Sequence, residues 1–171
     1  MQANNAVPTI KRRLTSMVYE ILLAFAALFL PFLVFEIVTK ASHTALVEHM
    51  RQALAFLILG VYFVHQWTRK GQTLAMQTWR IKLVQPGHER LPMRTALVRY
   101  LLAWLWVLPG IVVAYAADLS NKNKLYAIFA SVLLWSLTAL LDKDRQFLHD
   151  RLAGTRLVQL PKPEKKAAKA A

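Results

Sequence analysis

The sequence has no cysteine, so neither a disulfide framework nor a thiolate metal site can be built from it. Acidic residues are scarce, with nine Asp and Glu against 22 Lys and Arg, a formal net charge of +13. Charged residues of both signs make up only 18% of the 171 positions, where about 25% is usual for soluble domains. That shortage argues against disorder and against a nucleic-acid tail. In their place stand apolar residues, at 56%. A basic, apolar chain of this length is one domain whose solvent is a bilayer. Nucleic acid is not an expected partner, because the positive charge follows apolar segments and forms no continuous groove.

A membrane span needs about 20 mostly apolar residues. Four stretches qualify or come close: 17–38, 50–67, 100–117 and 125–141. The second is the weakest, because its clean apolar part runs only from Ala53 to Val64. Charge bias resolves it. Loops on the cytoplasmic side are enriched in Lys and Arg. With four crossings and both termini inside, eighteen basic residues face the cytoplasm and four face outward. The first stretch is too long for a cleaved signal and carries Glu36, so it reads as a retained span. The fold class expected is an all-α membrane protein, with four transmembrane helices and short cytoplasmic amphipathic helix–strand elements. Residues 1–9 and the basic, proline-broken tail 161–171 are expected to be disordered around a membrane domain at 10–160.

The second loop is long and patterned. Thr73 to Trp79 reads as a short surface helix, and Trp79 to Val84 alternates apolar and basic like a half-buried strand. The C-terminal region repeats the design, with a helix over 146–152 and a strand over 155–160. At an offset of 74 residues, five of the fourteen positions from Gln72 to Gln85 are identical to those from Gln146 to Gln159. Parallel halves of this kind occur in transporters, although shared interfacial chemistry gives the same likeness. Trp and Tyr near the span ends, Trp67 and Tyr100 among them, suit the headgroup layer or packing between helices.

Several polar residues stand out inside or beside the spans. Arg13 and Glu20 are seven apart and share one helix face, about 10 Å apart along the axis. Glu20 has three readings: a structural ion pair, a proton or ion site, or a side chain reaching the interface. Glu36 and Lys40 have the spacing of a helical ion pair. His65 is a titratable side chain with no partner placed by sequence. The richest cluster is His149-Asp150-Arg151, followed by Gly154 and Thr155. Asp150 is expected to pin its helix to Arg13 or to a basic residue of the second loop, Gly154 to end that helix, and Thr155 to start the strand. No nucleophile elbow, zinc-protease or phosphate-loop motif is present, and no His and carboxylate spacing suits a metal. No catalytic residue, cofactor or metal is therefore expected, and the chain does not read as an enzyme.

These residues carry a likeness. Arg12-Arg13-Leu14 opens the first span and Glu20 follows. Gly71-Gln72-Thr73-Leu74 leads into Trp79-Arg80-Ile81-Lys82-Leu83-Val84, and Arg99 opens the third span. Asp144-Arg145-Gln146-Phe147-Leu148-His149-Asp150-Arg151-Leu152-Ala153-Gly154-Thr155 closes the set. Over residues 10–160 this pattern resembles the RDD family of bacterial multi-pass membrane proteins, named for one Arg and two Asp. The resemblance maps the family Arg to Arg13 and its second Asp to Asp150. Glu20 stands where the first Asp is expected. It implies a polar network of Arg13, Glu20, Arg99 and Asp150, with His149, Arg151, Gly71, Thr73, Gly154 and Thr155 around it. It also implies residence in the inner (cytoplasmic) membrane, and transport of a small solute or ion, cation/proton exchange included. The rival expectation is a non-transporting scaffold. The expected partners are the lipid bilayer, anionic lipids at the cytoplasmic face, and a homo-oligomer or other membrane proteins.

Overall fold

The computed structural model describes residues 7–141, with the side chains of 139–141 set aside, and 146–161. Most of the expected frayed start and basic tail, together with Asp144 and Arg145, lie outside the described residues. The chain is mostly helical. Helix α1 spans Ile10–Val38, α2 Ala45–Lys70, and the short α3 Leu74–Thr78 leads to strand β1 at Ile81–Val84. Helix α4 (Met93–Ala103), a 3-10 turn (Trp104–Trp106) and α5 (Leu108–Ala116) follow, then α6 (Asn121–Leu141), α7 (Leu148–Leu152) and β2 (Arg156–Gln159).

Local chemistry sets the boundaries. The hydroxyls of Thr9, Thr44 and Thr73 accept backbone N–H groups at the starts of α1, α2 and α3, filling donors that a helix start leaves open. Gly71 ends α2 in the left-handed conformation, and its N–H donates to the Trp67 carbonyl at 2.9 Å. Helix α1 starts well before the expected span, so Arg13 and Ser16 are helical and buried.

The third apolar segment departs from expectation. It is not one straight helix. The Met93–Trp106 stretch and α5 meet at a 41° bend. Pro109 lies in the first turn of α5; it supplies no N–H to the preceding turn and its ring crowds the carbonyl four residues back. Ser131 of α6 donates to the Trp106 carbonyl at 2.8 Å, so the break is satisfied from a neighbouring helix. Gly110 lets α5 and α6 approach closely: a Cβ there would sit 2.7 Å from the Ala127 carbonyl oxygen. Helices α1 and α2 are each long and apolar enough to cross a membrane, and the bent pair together would make a third.

The expected pair of Glu36 with Lys40 does not form. Lys40 lies past the end of α1 with φ at 51°, so the helical spacing is lost. Glu36 instead takes a two-pronged bond from Arg51 of α2, at 2.7 and 3.0 Å, and Arg51 also meets Glu48 at 2.6 Å.

The two strands pair antiparallel, Leu83 opposite Leu157 and Lys82 opposite Val158. Ile81 and Leu83 are buried and Lys82 and Val84 only partly so, which matches the alternation in sequence. The best-buried core is not in the middle of the spans. It gathers where β1 and β2 meet the adjoining ends of α2 and α4, from Val64, Trp67, Met76, Ile81, Leu83, Ala96, Tyr100 and Leu157. Trp67 and Tyr100 thus pack inside, whereas Tyr115 and Tyr126 are exposed. Along α1 the large apolar side chains Leu22, Phe25, Phe29, Leu30 and Ile37 all face outward. An apolar surface on that scale needs lipid, because water would drive it to associate.

Gly71→Ala is expected to destabilise the protein more than Gly154→Ala. Both glycines have left-handed backbone (φ +67° and +66°), which costs a side chain about 1–2 kcal/mol. A Cβ at Gly71 would also sit 2.7 Å from the Leu83 carbonyl oxygen, while at Gly154 it meets nothing within 4 Å. Thermal unfolding of the two variants in the same detergent measures the difference.

Candidate functional site

Arg99 enters from α4 and is the centre of the site. Its Nε donates to Asp150 Oδ1 at 2.8 Å and its terminal nitrogen lies 2.7 Å from the same oxygen. Its guanidinium carbon stands 4.1 Å over the Trp67 ring. Asp150 is completely buried and Arg99 nearly so, so this charge pair works without water. The second carboxylate oxygen of Asp150 has no hydrogen-bond partner among the described residues. Asp150 comes from α7, so the pair pins that short helix onto α4. Of the partners expected for Asp150, Arg99 is the one in contact. Arg13 lies within electrostatic reach of the same carboxylate and 5.9 Å over the Phe147 ring, and it is 97% buried.

Glu20 is placed differently from the expected ion pair. Its carboxylate accepts hydrogen bonds from the hydroxyls of Tyr62 (2.9 Å) and Thr73. Thr73 therefore has two duties: its oxygen caps α3 through the Met76 N–H, and its proton goes to Glu20. Arg99 acts on Glu20 only through space. A carboxylate in an apolar setting needs donors more than it needs one particular cation, and two hydroxyls supply them.

His149 is buried beside Asp150. Its Nδ1 receives the indole N–H of Trp106 at 2.9 Å and faces that of Trp135 at 3.4 Å. An indole can only donate, so Nδ1 accepts and the ring proton sits on Nε2, 3.4 Å from Asp150 Oδ1. Burial pushes the imidazole down to about 4; Asp150 opposes that shift and Arg99 reinforces it. Adjacent in sequence, His149 and Asp150 nevertheless reach the same neighbourhood, because Arg99 draws the carboxylate and the two indoles hold the ring.

The remaining residues have structural places. Gly154 follows α7 with φ at +66°, and the Thr155 N–H and hydroxyl both donate to the Asp150 carbonyl, at 2.8 and 3.1 Å. Thr155 thus closes the α7 turn, and β2 starts one residue later. Arg151 is exposed. His65 lies on the exposed side of α2. Tyr62, Trp106 and Trp135 were not singled out for these contacts by sequence. Trp106 stands seven residues after Arg99 as Glu20 does after Arg13, the one pattern that could have marked it.

Arg13, Glu20, Thr73, Arg99, Trp106 and His149 line one cavity of about 500 Å³, whose walls are otherwise largely apolar. It lies between Ile21 and Ala24 of α1 on one side and Val107 and Val132 on the other. Cavities of this size suit small molecules, with a few polar groups to orient them. Among the described residues no cluster of His and carboxylates could hold a metal ion.

Asp150→Asn leaves the buried Arg99 charge with no carboxylate bonded to it, and is expected to lower stability by about 3–5 kcal/mol. Replacing both partners, Asp150→Leu with Arg99→Met, should recover part of that loss in the same unfolding assay. A second expectation concerns pH. The folded-state pKa of His149 lies below its unfolded value, so the unfolded chain binds the proton more readily. The stabilisation is complete above about pH 6.5 and is lost as pH falls towards 4, by an amount on the order of 3 kcal/mol. Comparing melting temperatures of the wild type and His149→Gln from pH 7 to pH 4 isolates this effect; parallel curves would contradict it.

The arrangement of one Arg in the first helix, an acid one face along, and an Asp after the last apolar helix can now be set against known proteins. No curated protein and no solved structure matches the chain. A family model described as the RDD family matches residues 7–154. That stretch holds α1 through α7 and all four residues of the polar network, and the chain belongs to the RDD family.

Proposed function

We propose that this RDD protein is a four-span inner-membrane protein, with both termini cytoplasmic, that moves a small solute or ion through the cavity walled by α1, α4 and α7. The observation that carries the reading is Glu20 on the wall of that cavity, together with Arg13, Arg99 and His149. Buried ionisable groups that face a space between membrane helices mark ion and solute paths. The fourth crossing is α6, and the bent α4–α5 pair forms the third. The basic-residue bias supports the orientation. The α3, α7 and strand elements then lie at the cytoplasmic surface, against the bilayer and its anionic lipids. The role proposed is that of a permeation protein and not an enzyme, and a homo-oligomer would enlarge the space between the helices.

A second reading has its own support. Both oxygens of Glu20 are taken by hydroxyls from α2 and from the residue before α3, as a structural tie would require. On that reading the protein is a scaffold for other membrane proteins.

Flux separates the two. The purified protein in proteoliposomes, loaded with a pH-sensitive dye and given Na⁺ or K⁺ gradients, is expected to carry flux that falls at least about tenfold in Glu20→Gln. The amide keeps an acceptor for Tyr62 or Thr73 but loses the charge, so melting should change little. A wild type without flux that co-purifies with other membrane proteins favours the scaffold.

A further inference from the structure

A second hollow lies apart from the cavity. It is formed where the end of α2, strand β1 and the following 85–91 loop come together, and it encloses about 200 Å³. At about 30 Å³ per water it has room for a group several waters in size. Arg69, Lys70, Lys82 and Arg90 all contribute to its lining, against one acid, Glu89. None of these four cations lies within ion-pair distance of a carboxylate among the described residues. Like charges that converge on a concave surface raise the local potential and favour an anion there.

The rest of the hollow narrows the class of anion. Gln85 also contributes to the lining, and its side-chain oxygen accepts no hydrogen bond among the described residues. A bare anion has no donor to offer it; a hydroxyl does. The walls are preformed. The Leu83 N–H donates to the Gly71 carbonyl at 2.7 Å, which clamps β1 to the end of α2. Gly87, with φ at +82°, turns the loop back, and the His88 N–H closes it on the Gln85 carbonyl at 3.1 Å. No Phe, Tyr or Trp is in the lining, and the one ring there, that of His88, is exposed on the turn.

We propose that this hollow binds the phosphate group of a hydroxyl-bearing phosphate ester, with Arg69, Lys70, Lys82 and Arg90 on the phosphate oxygens and Gln85 taking a hydroxyl. Two sources have this chemistry: an anionic phospholipid headgroup and a soluble phosphate ester. The lipid source rests on the topology proposed above, which puts the end of α2, just after Trp67, at the bilayer surface. The soluble source does not, and neither requires transport.

The test uses the full chain. In the first arm, the protein is purified from an equal mixture of phosphatidylglycerol and phosphatidylcholine, and the retained lipid is read by native mass spectrometry. In the second, glycerol 3-phosphate and inorganic phosphate are titrated onto the protein in phosphatidylcholine nanodiscs by calorimetry. The double variant Lys82→Gln/Arg90→Gln is compared with Arg94→Gln, an exposed cation outside the lining. The double variant is expected to bind at least about tenfold more weakly, as the loss of one charge-assisted bond already allows. Arg94→Gln should bind like the wild type. If the double variant does not fold, Arg90→Gln alone, in the exposed loop, should lose at least about threefold. Retention of phosphatidylglycerol without soluble binding assigns the lipid source, and the reverse assigns the soluble one. No preference in either arm, or equal losses in Arg94→Gln, overturns the proposal. Flux through the first cavity can fail or persist without changing either result.

Discussion

The Arg99 guanidinium, held between the Asp150 carboxylate and the face of Trp67, is the contact on which the rest of this end of the molecule depends. It joins three parts of the chain that are far apart in sequence: α4, α7 and the end of α2. A desolvated cation over an indole is worth about 2 kcal/mol, and the buried charge-assisted bonds add to it. Each partner also needs the other. A lone buried arginine or aspartate would be strongly disfavoured, so the pair selects one docking of α7. Once α7 is placed, β2 lies beside β1, and Trp106 and Trp135 find an acceptor in His149. Glu20 does the same work for α1, tying it to α2 and to the start of α3 through two hydroxyls.

These ties matter because the long helices have little else to hold them. Between membrane helices the lipid is as apolar as the side chains, so burial by itself gives no preference for one partner. Specific packing takes over. Gly110 lets α5 seat closely on α6, and at the opposite end from Arg99 the Glu36–Arg51 bonds clamp α1 to α2. The cavity lies where α1 faces the residues around the bend made by Pro109. Its polar wall is the inner surface of the same network that holds the helices in place, so Arg13, Glu20, Arg99 and His149 hold the fold and face the cavity at once.

The likeness between the two halves gains substance in three dimensions. Helix α7 is shifted from α3 by 74 residues at both ends, and the left-handed residues Arg80 and Gly154 are separated by the same offset. Each short helix packs on the first long helix of its own half, α3 on α1 and α7 on α4. The chemistry at equivalent places differs. Thr73 offers a hydroxyl to Glu20, whereas Phe147 stacks on His149 and lies beneath Arg13. The cavity therefore has a carboxylate on one side and a neutral imidazole on the other, built on similar backbones.

Much of the frame is legible in the amino-acid order, because it follows from local rules. Runs of apolar residues mark the long helices, Thr73 marks the start of the short helix α3, and alternation marks β1. The spacing of Arg13 and Glu20 puts both on one face, and the Asp150 region reads as a polar clasp. What stays hidden is non-local. The pairing of two strands from opposite halves, the choice of Arg51 over Lys40 for Glu36, and the hydroxyl partners of Glu20 depend on which surfaces meet after the helices assemble. Periodicity and capping act over a few residues and are written in the sequence. A buried charge takes the donors that three-dimensional packing brings within about 3 Å, and the tertiary structure alone decides which those are.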